Sequence, residues 1–171
     1  MKIDLHQRFG FLVNEVGRLY GRRFDQLARQ RLGLTRAQVR LLAMVALNEG
    51  RPALTQAELA QRLDLTPMAV AKLCDRLQAA GWIARQARPA DRRAWGIELQ
   101  PVAHQAVADA LALGDEVQAE ALAGLPAAER RQLVALLQHA HANLQSEGSA
   151  ASPAPDRSAP ARRRATPGVS G

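Results

Sequence analysis

Two short helix patterns lie close together in the middle of this chain, and they limit what it can fold into. A Thr-x-x-Glu capping box that begins at Thr55 predicts a helix over 56–63. Thr66 and the adjacent Pro67 predict the start of a second helix, because threonine caps helices and proline suits the first helical position. Only an Asp-Leu pair separates the two helices, so the chain must turn sharply between them.

A hairpin pattern follows the second helix, which is predicted to run to Ala80 and to stop at Gly81. Residues 82–87 and 94–99 alternate apolar and polar side chains, as half-buried strands do. The polar run RPADRR, residues 88–93, predicts the turn between them. Helix, tight turn, helix and hairpin in this order form a winged helix-turn-helix, whose second helix can enter a DNA major groove.

Longer amphipathic patterns flank this central unit. Apolar residues recur at three- and four-residue steps over 5–27 and predict a long first helix that ends at Gly33. Further helices are predicted over 36–47, about 102–122 and 126–144. The predicted fold is therefore mainly α: a winged helix-turn-helix with flanking helices and a small β-hairpin wing.

The charge is unevenly distributed along the sequence. Residues 1–50 carry nine basic and four acidic groups and residues 51–100 carry eight and five, whereas 101–147 carries two and six. All but two of the 23 basic residues are arginine, whose planar guanidinium suits phosphate. The basic part therefore indicates an anionic partner such as nucleic acid, although compositional bias alone would also produce an arginine-rich chain.

Several classes of protein are excluded by the composition. The single cysteine, Cys74, leaves no internal disulfide and is expected to be a small buried residue. No apolar run is long enough to span a bilayer, and the N-terminus lacks the apolar core of a signal peptide, so we expect a cytoplasmic protein without a membrane partner. Dispersed histidines and the lack of a nucleophile–base pattern or phosphate loop predict no enzyme, metal or other cofactor.

The central run LTQAELAQRLDLTPMAVAKLCDRLQAAGWIARQARPADRRAWGIELQP, residues 54–101, resembles the MarR family of bacterial transcription regulators. The matching elements are the Leu-Thr start, the DRL late in the second helix, the Gly-Trp-Ile after it, and the Asp91-x-Arg93 of the wing. Upstream, LGLTRAQVRLLAMV at 32–45 resembles the second helix of the family. The likeness covers about residues 5–145.

This resemblance implies a homodimer that binds double-stranded DNA at a pseudo-palindromic site. It further implies a repressor that a small aromatic or anionic effector releases. The domains would be N-terminal dimerisation helices (1–50), the winged helix-turn-helix (51–100) and C-terminal dimerisation helices (101–147). The Pro-, Ala- and Arg-rich segment 148–171 cannot bury enough apolar surface to order itself and is predicted to be a disordered tail.

One departure from the family pattern follows the wing. Members commonly have Leu-Thr and then Gly there, whereas this chain has Leu99-Gln100-Pro101. Since Pro101 can still occupy the first turn of a helix, only the local cap is in question.

The predicted DNA-binding residues belong to the start of the first short helix, the exposed face of the second and the wing. The set is Thr55, Gln56, Thr66, Pro67, Met68, Ala71, Lys72, Arg76, Arg88, Arg92 and Arg93. Lys72 is the one good donor on the exposed face of the second helix, because its apolar neighbours can meet only thymine methyls. We therefore expect DNA shape to carry much of the specificity.

The wing residues have separate predicted roles. Arg92 is the candidate for insertion into the minor groove, where negative potential is concentrated. By resemblance, Asp91 orients Arg93 through a salt bridge and stiffens the wing. Arg85, on the first strand, has two interpretations: a phosphate contact or a partner within the domain.

An effector would, by resemblance, bind in a crevice between the dimerisation and DNA-binding parts. The candidate lining residues are Phe9, Val13, Val16, Tyr20 and Arg23 of the first helix, for which core or dimer interface is the alternative role. Two other functions stay open: a constitutive, weakly specific architectural DNA-binding protein without an effector, and a winged-helix module that binds protein instead of DNA.

Overall fold

The computed structural model describes residues 4–88 and 91–150, with the side chains of 88, 91–94 and 147–150 left out. After a 3-10 turn at Leu5–Gln7, the elements are α1 (Phe9–Leu32), α2 (Arg36–Ala46), β1 (Leu54–Thr55), α3 (Gln56–Leu63), α4 (Pro67–Ala79), β2 (Ile83–Arg88), β3 (Asp91–Leu99), α5 (Pro101–Ala121) and α6 (Ala127–Ala150). These elements confirm the predicted mainly α, winged helix-turn-helix fold. Within the described ranges, no helix combines the length and apolar character that crossing a bilayer requires. The chain divides into two compact units, Met1–Ala123 and Gly124–Gly171.

Side-chain caps set the starts of the short helices where the sequence predicts them. Thr55 and Glu58 form a capping box at α3, and Thr66 accepts the backbone N–H of Ala69 at 3.2 Å at the start of α4. Each cap supplies an acceptor for an amide that the helix itself leaves unpaired. The helix-turn-helix boundaries are therefore local properties of the sequence.

The turn between α3 and α4 is short because one residue adopts a left-handed conformation. Asp64 has φ 53° and ψ 51°, a region that aspartate tolerates better than most residues. The N–H of Leu65 then reaches back to the carbonyl of Ala60 at 3.0 Å and closes the end of α3. This closure lets α4 begin at Pro67.

A three-stranded antiparallel sheet, in the order β1-β3-β2, completes the wing. The two-residue strand β1 pairs with β3 through Leu54 opposite Ile97, and it was not expected from the sequence. Gly96 is buried in β3, where a Cβ would lie 2.6 Å from the Cβ of Ala53. Glycine at this position therefore lets the chain before β1 approach β3 closely.

The core of the first unit joins the sheet to α2, α3 and α4. Its fully buried side chains include Leu41, Leu42, Leu59, Leu63, Val70, Cys74, Leu77, Ile83 and Ile97. The predicted packing of α3 against α4 is confirmed, with Leu73 only partly buried against this core. Cys74 is buried, as expected.

Two ion pairs and a hydrogen bond hold α1 against α5. Arg23 pairs with Glu120 through two contacts of 2.7 and 2.8 Å, and Arg31 pairs with Glu116 through contacts of 2.6 and 2.9 Å. The hydroxyl of Tyr20 donates to the backbone carbonyl of residue 114 at 3.0 Å. The acidic helix thus neutralises part of the positive charge of α1.

The second unit contains α6, which runs three residues into the segment predicted as a tail from Gly148. The remainder of that segment, 151–171, lies outside the described residues. Apolar side chains exposed on α6 include Leu133, Val134, Leu136, Leu137 and Leu144.

Candidate nucleic-acid interface and arginine-lined cavity

The outward face of α4 carries the predicted recognition residues. Pro67, Lys72 and Arg76 are exposed, and Met68 is 69% exposed. Ala71 is partly buried. Because the opposite face of α4 is packed into the core, this helix presents a fixed outer surface to any partner.

The two threonine caps differ in what they can still bind. The Thr66 hydroxyl accepts from the helix and donates to no other group in the described part of the chain, so it can cap α4 and donate to a phosphate at once. The Thr55 hydroxyl, in contrast, donates to the carboxylate of Glu58 at 2.9 Å while accepting its N–H at 3.2 Å. A phosphate would have to replace that carboxylate to receive a hydrogen bond from Thr55.

Arg85 joins the wing to both helices of the helix-turn-helix. Its Nη1 donates to the side-chain oxygen of Gln78 at 2.5 Å, and its Nη2 donates to Oδ1 of Asp75 at 2.5 Å. The Gln56 amide is satisfied only with its oxygen toward Arg85, where it accepts at 2.8 and 2.9 Å. Of the two interpretations of Arg85, the structure therefore supports a partner within the domain, and it places the predicted DNA ligand Gln56 in the same network.

The backbone of the wing is described up to its turn. Strands β2 and β3 pair from Ile83 opposite Leu99 to Arg88 opposite Asp91, with an irregularity next to Arg88. The side chains of Arg88, Asp91, Arg92 and Arg93 lie outside the described residues. Their predicted roles in the minor groove and in the wing salt bridge stay predictions.

The residues predicted to line an effector site are not gathered into one cavity. Phe9, Val13 and Val16 are exposed on the first half of α1. Tyr20 lines a cavity of about 260 Å³ between α1, α2 and α5, whereas the guanidinium of Arg23 is engaged with Glu120. An effector role for this set stays a prediction.

A larger cavity, of about 590 Å³, lies between α1, α2 and α4. Its lining includes six arginines and one carboxylate: Arg18, Arg22, Arg29, Arg36, Arg40, Arg76 and Asp25. Sequence reasoning missed this cavity, because its arginines are far apart along the chain. One signal was available in the sequence. Residues 1–50 carry five more basic than acidic groups, and this whole segment precedes the helix-turn-helix.

The pKa values of Asp25 on α1 and Cys74 on α4 are shifted. The backbone N–H of Arg36 and then the guanidinium of Arg29 lower the pKa of Asp25, which accepts from each at 2.7 Å. Burial raises the pKa of the Cys74 thiol to about 11.

In the described part of the chain, no three His, Cys, Asp or Glu side chains are grouped so that they could hold a metal ion.

Comparisons with known proteins agree with this architecture. Residues 32–94 match the family model described as MarR family. Reduced MarR from E. coli is similar with a TM-score of 0.71 and 24% identity over 82% of this chain and 98% of that chain. CouR from Rhodococcus jostii RHA1, bound to p-coumaroyl-CoA, is similar with a TM-score of 0.66 and 25% identity over 80% and 94%. The Mycobacterium tuberculosis MarR family protein Rv2887, in complex with DNA, gives 0.65 and 27% over 77% and 95%.

The fold and the exposed face of α4 thus define a winged helix-turn-helix of the DNA-binding type. Over residues 32–94, this winged helix-turn-helix matches the MarR family, which is a family of transcription regulators.

Proposed function

We propose that this protein is a homodimeric repressor that binds a pseudo-palindromic operator and is released by a small ligand. The observation that carries the proposal is the outer face of α4, where Lys72 and the hydroxyl of Thr66 have no acceptor in the described part of the chain. Donors of this kind, at the first turns of a helix that follows a tight turn, suit phosphates and base edges.

Dimerisation is supported by apolar surface that the first unit leaves exposed on α1. Phe9 is 62% exposed, and further large apolar side chains follow at helical spacing, namely Leu12, Val13, Val16 and Leu19. A continuous apolar stripe of this kind on a helix surface marks an interaction site. Two-fold symmetry would place two copies of α4 about 34 Å apart, one turn of B-DNA.

Release by a ligand is supported by the similar protein CouR, whose crystal structure contains p-coumaroyl-CoA. A ligand that binds the DNA-free conformation better than the DNA-bound one lowers DNA affinity by the ratio of the two affinities. This effect requires the ligand to contact an element that moves with α4.

The decisive experiment is a fluorescence-anisotropy titration of the protein into the DNA upstream of its own coding sequence. It is performed at two salt concentrations and with random competitor DNA, and light scattering gives the oligomeric state. We expect a dimer whose binding survives the competitor and weakens as salt rises. Lys72→Ala should weaken binding, and Arg131→Gln, which removes one exposed charge from α6, should not.

A constitutive architectural function is the second candidate, because Pro67 and Met68 offer no donor to base edges at the exposed start of α4. Binding that collapses with the competitor would favour that function and contradict the first. No binding even at low salt would contradict both and indicate a protein partner for this surface.

A further inference from the structure

The arginine-lined cavity holds more cationic groups than its own acidic groups can neutralise. Asp25 is the one carboxylate in its lining, and it already accepts from Arg29 and from the backbone of Arg36. Arg18 pairs with Glu15 at 2.7 Å, and Arg40 donates to the carbonyl of residue 63 at 3.4 Å.

Three guanidinium groups around this cavity have no hydrogen-bond acceptor in the described structure: those of Arg22 on α1, Arg36 on α2 and Arg76 on α4. The charges of Arg22 and Arg36 nevertheless help to lower the pKa values of Glu15 and Asp25, respectively. Like charges held together repel each other at close range. A bound anion with several charged groups would offset this repulsion and supply the missing acceptors.

The position of Arg36 depends on a glycine. Gly21 is buried in α1, and a Cβ there would collide with the guanidinium of Arg36. The absence of a side chain at position 21 therefore lets this guanidinium lie against α1 at the cavity wall. Thr35 and Ala37 also line the cavity, so the N-terminal end of α2 adds a positive dipole to the same space.

We propose that this cavity binds a small polyanion, with two or more phosphate or carboxylate groups, and that this polyanion is the ligand that releases DNA. The volume of about 590 Å³ lies in the ordinary range for small-molecule sites. A recess bounded by three helices suits a small molecule better than a rigid duplex. The family resemblance implies only an aromatic or anionic effector, whereas three guanidiniums without a hydrogen-bond acceptor favour a ligand with several negative charges.

The regulatory half of this inference rests on the proposed function. Arg76 and Leu73 belong to α4 and line the cavity together with residues of α1 and α2. A polyanion held there would contact the recognition helix directly. It would compete for Arg76, a predicted DNA ligand, and would favour one position of α4 relative to α1.

The binding half is tested without DNA, by calorimetry at constant ionic strength. The probes are inorganic pyrophosphate, orthophosphate and benzoate. We expect one site per chain and affinity in the order pyrophosphate, orthophosphate, benzoate. Arg22→Gln combined with Arg36→Gln should weaken pyrophosphate binding by about tenfold or more for each guanidinium removed, because charge-assisted hydrogen bonds are the strong ones.

Two controls separate the cavity from general electrostatics and from misfolding. Arg51→Gln combined with Arg131→Gln removes two exposed charges elsewhere and should leave the affinity unchanged. Gly21→Ala keeps the net charge, suits a helix and displaces only the end of the Arg36 side chain, so it should fold and still weaken pyrophosphate binding. No pyrophosphate binding, equal loss in the charge control, or tighter binding of benzoate would each overturn the inference.

The regulatory half is tested by adding pyrophosphate to the protein–DNA complex. Release by pyrophosphate in the wild type, but not in the Arg22/Arg36 double variant, would support it. Pyrophosphate binding without release would overturn the effector role while leaving DNA binding itself intact. Loss of DNA affinity in the double variant, with no pyrophosphate binding by the wild type, would make the cavity a DNA contact and contradict the proposal.

Discussion

Removing the guanidinium of Arg85 tests whether the wing and the helix-turn-helix are held together by one side chain. Arg85→Met keeps the apolar stem and removes the hydrogen bonds to Gln56, Asp75 and Gln78. The two amide acceptors contribute about 1 kcal/mol each. Because Asp75 is 65% exposed while Arg85 is 25% exposed, their ion pair is screened and contributes about 0.5 kcal/mol. We therefore expect the free energy of unfolding to fall by about 2.5 kcal/mol.

Urea unfolding followed by circular dichroism measures this loss, at one protein concentration because a dimer would make stability concentration-dependent. With an m-value of about 2 kcal/mol per M, the midpoint should fall by about 1 M. Arg51→Met is the matched control, since Arg51 is an exposed arginine whose side chain has no hydrogen bond in the described structure, and its effect should stay within about 0.5 kcal/mol.

A double-mutant cycle with Asp75→Ala isolates the ion pair. We expect a coupling energy of about 0.5 kcal/mol, with most of the Arg85 effect remaining when Asp75 is absent. An Arg85→Met loss no larger than that of the Arg51 control would refute the interpretation of Arg85 as a structural link. A coupling energy that accounts for the whole loss would refute the assigned contributions of the two amides.

Three further predictions concern α4 and the sheet. Lys72→Ala should weaken operator binding by about tenfold with no change in the urea midpoint, since Lys72 is exposed and has no side-chain hydrogen bond or ion pair in the described structure; a shifted midpoint would contradict a purely external role. Cys74 has its pKa raised to about 11 by burial, from the ordinary 9.0. The unfolded thiol therefore ionises first, and the urea midpoint relative to Cys74→Ala should fall as the pH rises from 9 towards 11; a difference that stays constant over this range would show that the native thiol ionises normally. Gly96→Ala should cost about 1–3 kcal/mol, because its Cβ would meet that of Ala53 at 2.6 Å; unchanged stability would show that β1 can move away freely.

The sequence was sufficient where short-range chemistry decides the structure. Thr55 and Thr66 mark helix starts because their caps act within three residues, and the core of α3 and α4 follows from helical spacing. Strand β1 was missed because two residues carry no periodic pattern, and only the pairing of Leu54 with Ile97 defines it.

The arginine network and the cavity were beyond the reach of pattern reasoning for a related reason. Arg85 and Gln56 are brought together by the tertiary fold, and their spacing in the sequence gives no sign of it. Most of the predicted effector residues lie in the N-terminal half of α1. The arginines of α1 that line the cavity lie further along the helix, from Arg18 onwards.

The pairing of α5 with α1 has a consequence for how the protein approaches DNA. Helix α5 carries four acidic residues and no lysine or arginine, and two of its glutamates neutralise Arg23 and Arg31. The arginines of α1 and α2 that remain without a carboxylate line the cavity beside α4. The first unit is therefore an electric dipole as well as a net cation. In the field of a duplex, a dipole experiences a torque that rotates its positive side toward the phosphates before contact, so part of the orientational search is completed during diffusion.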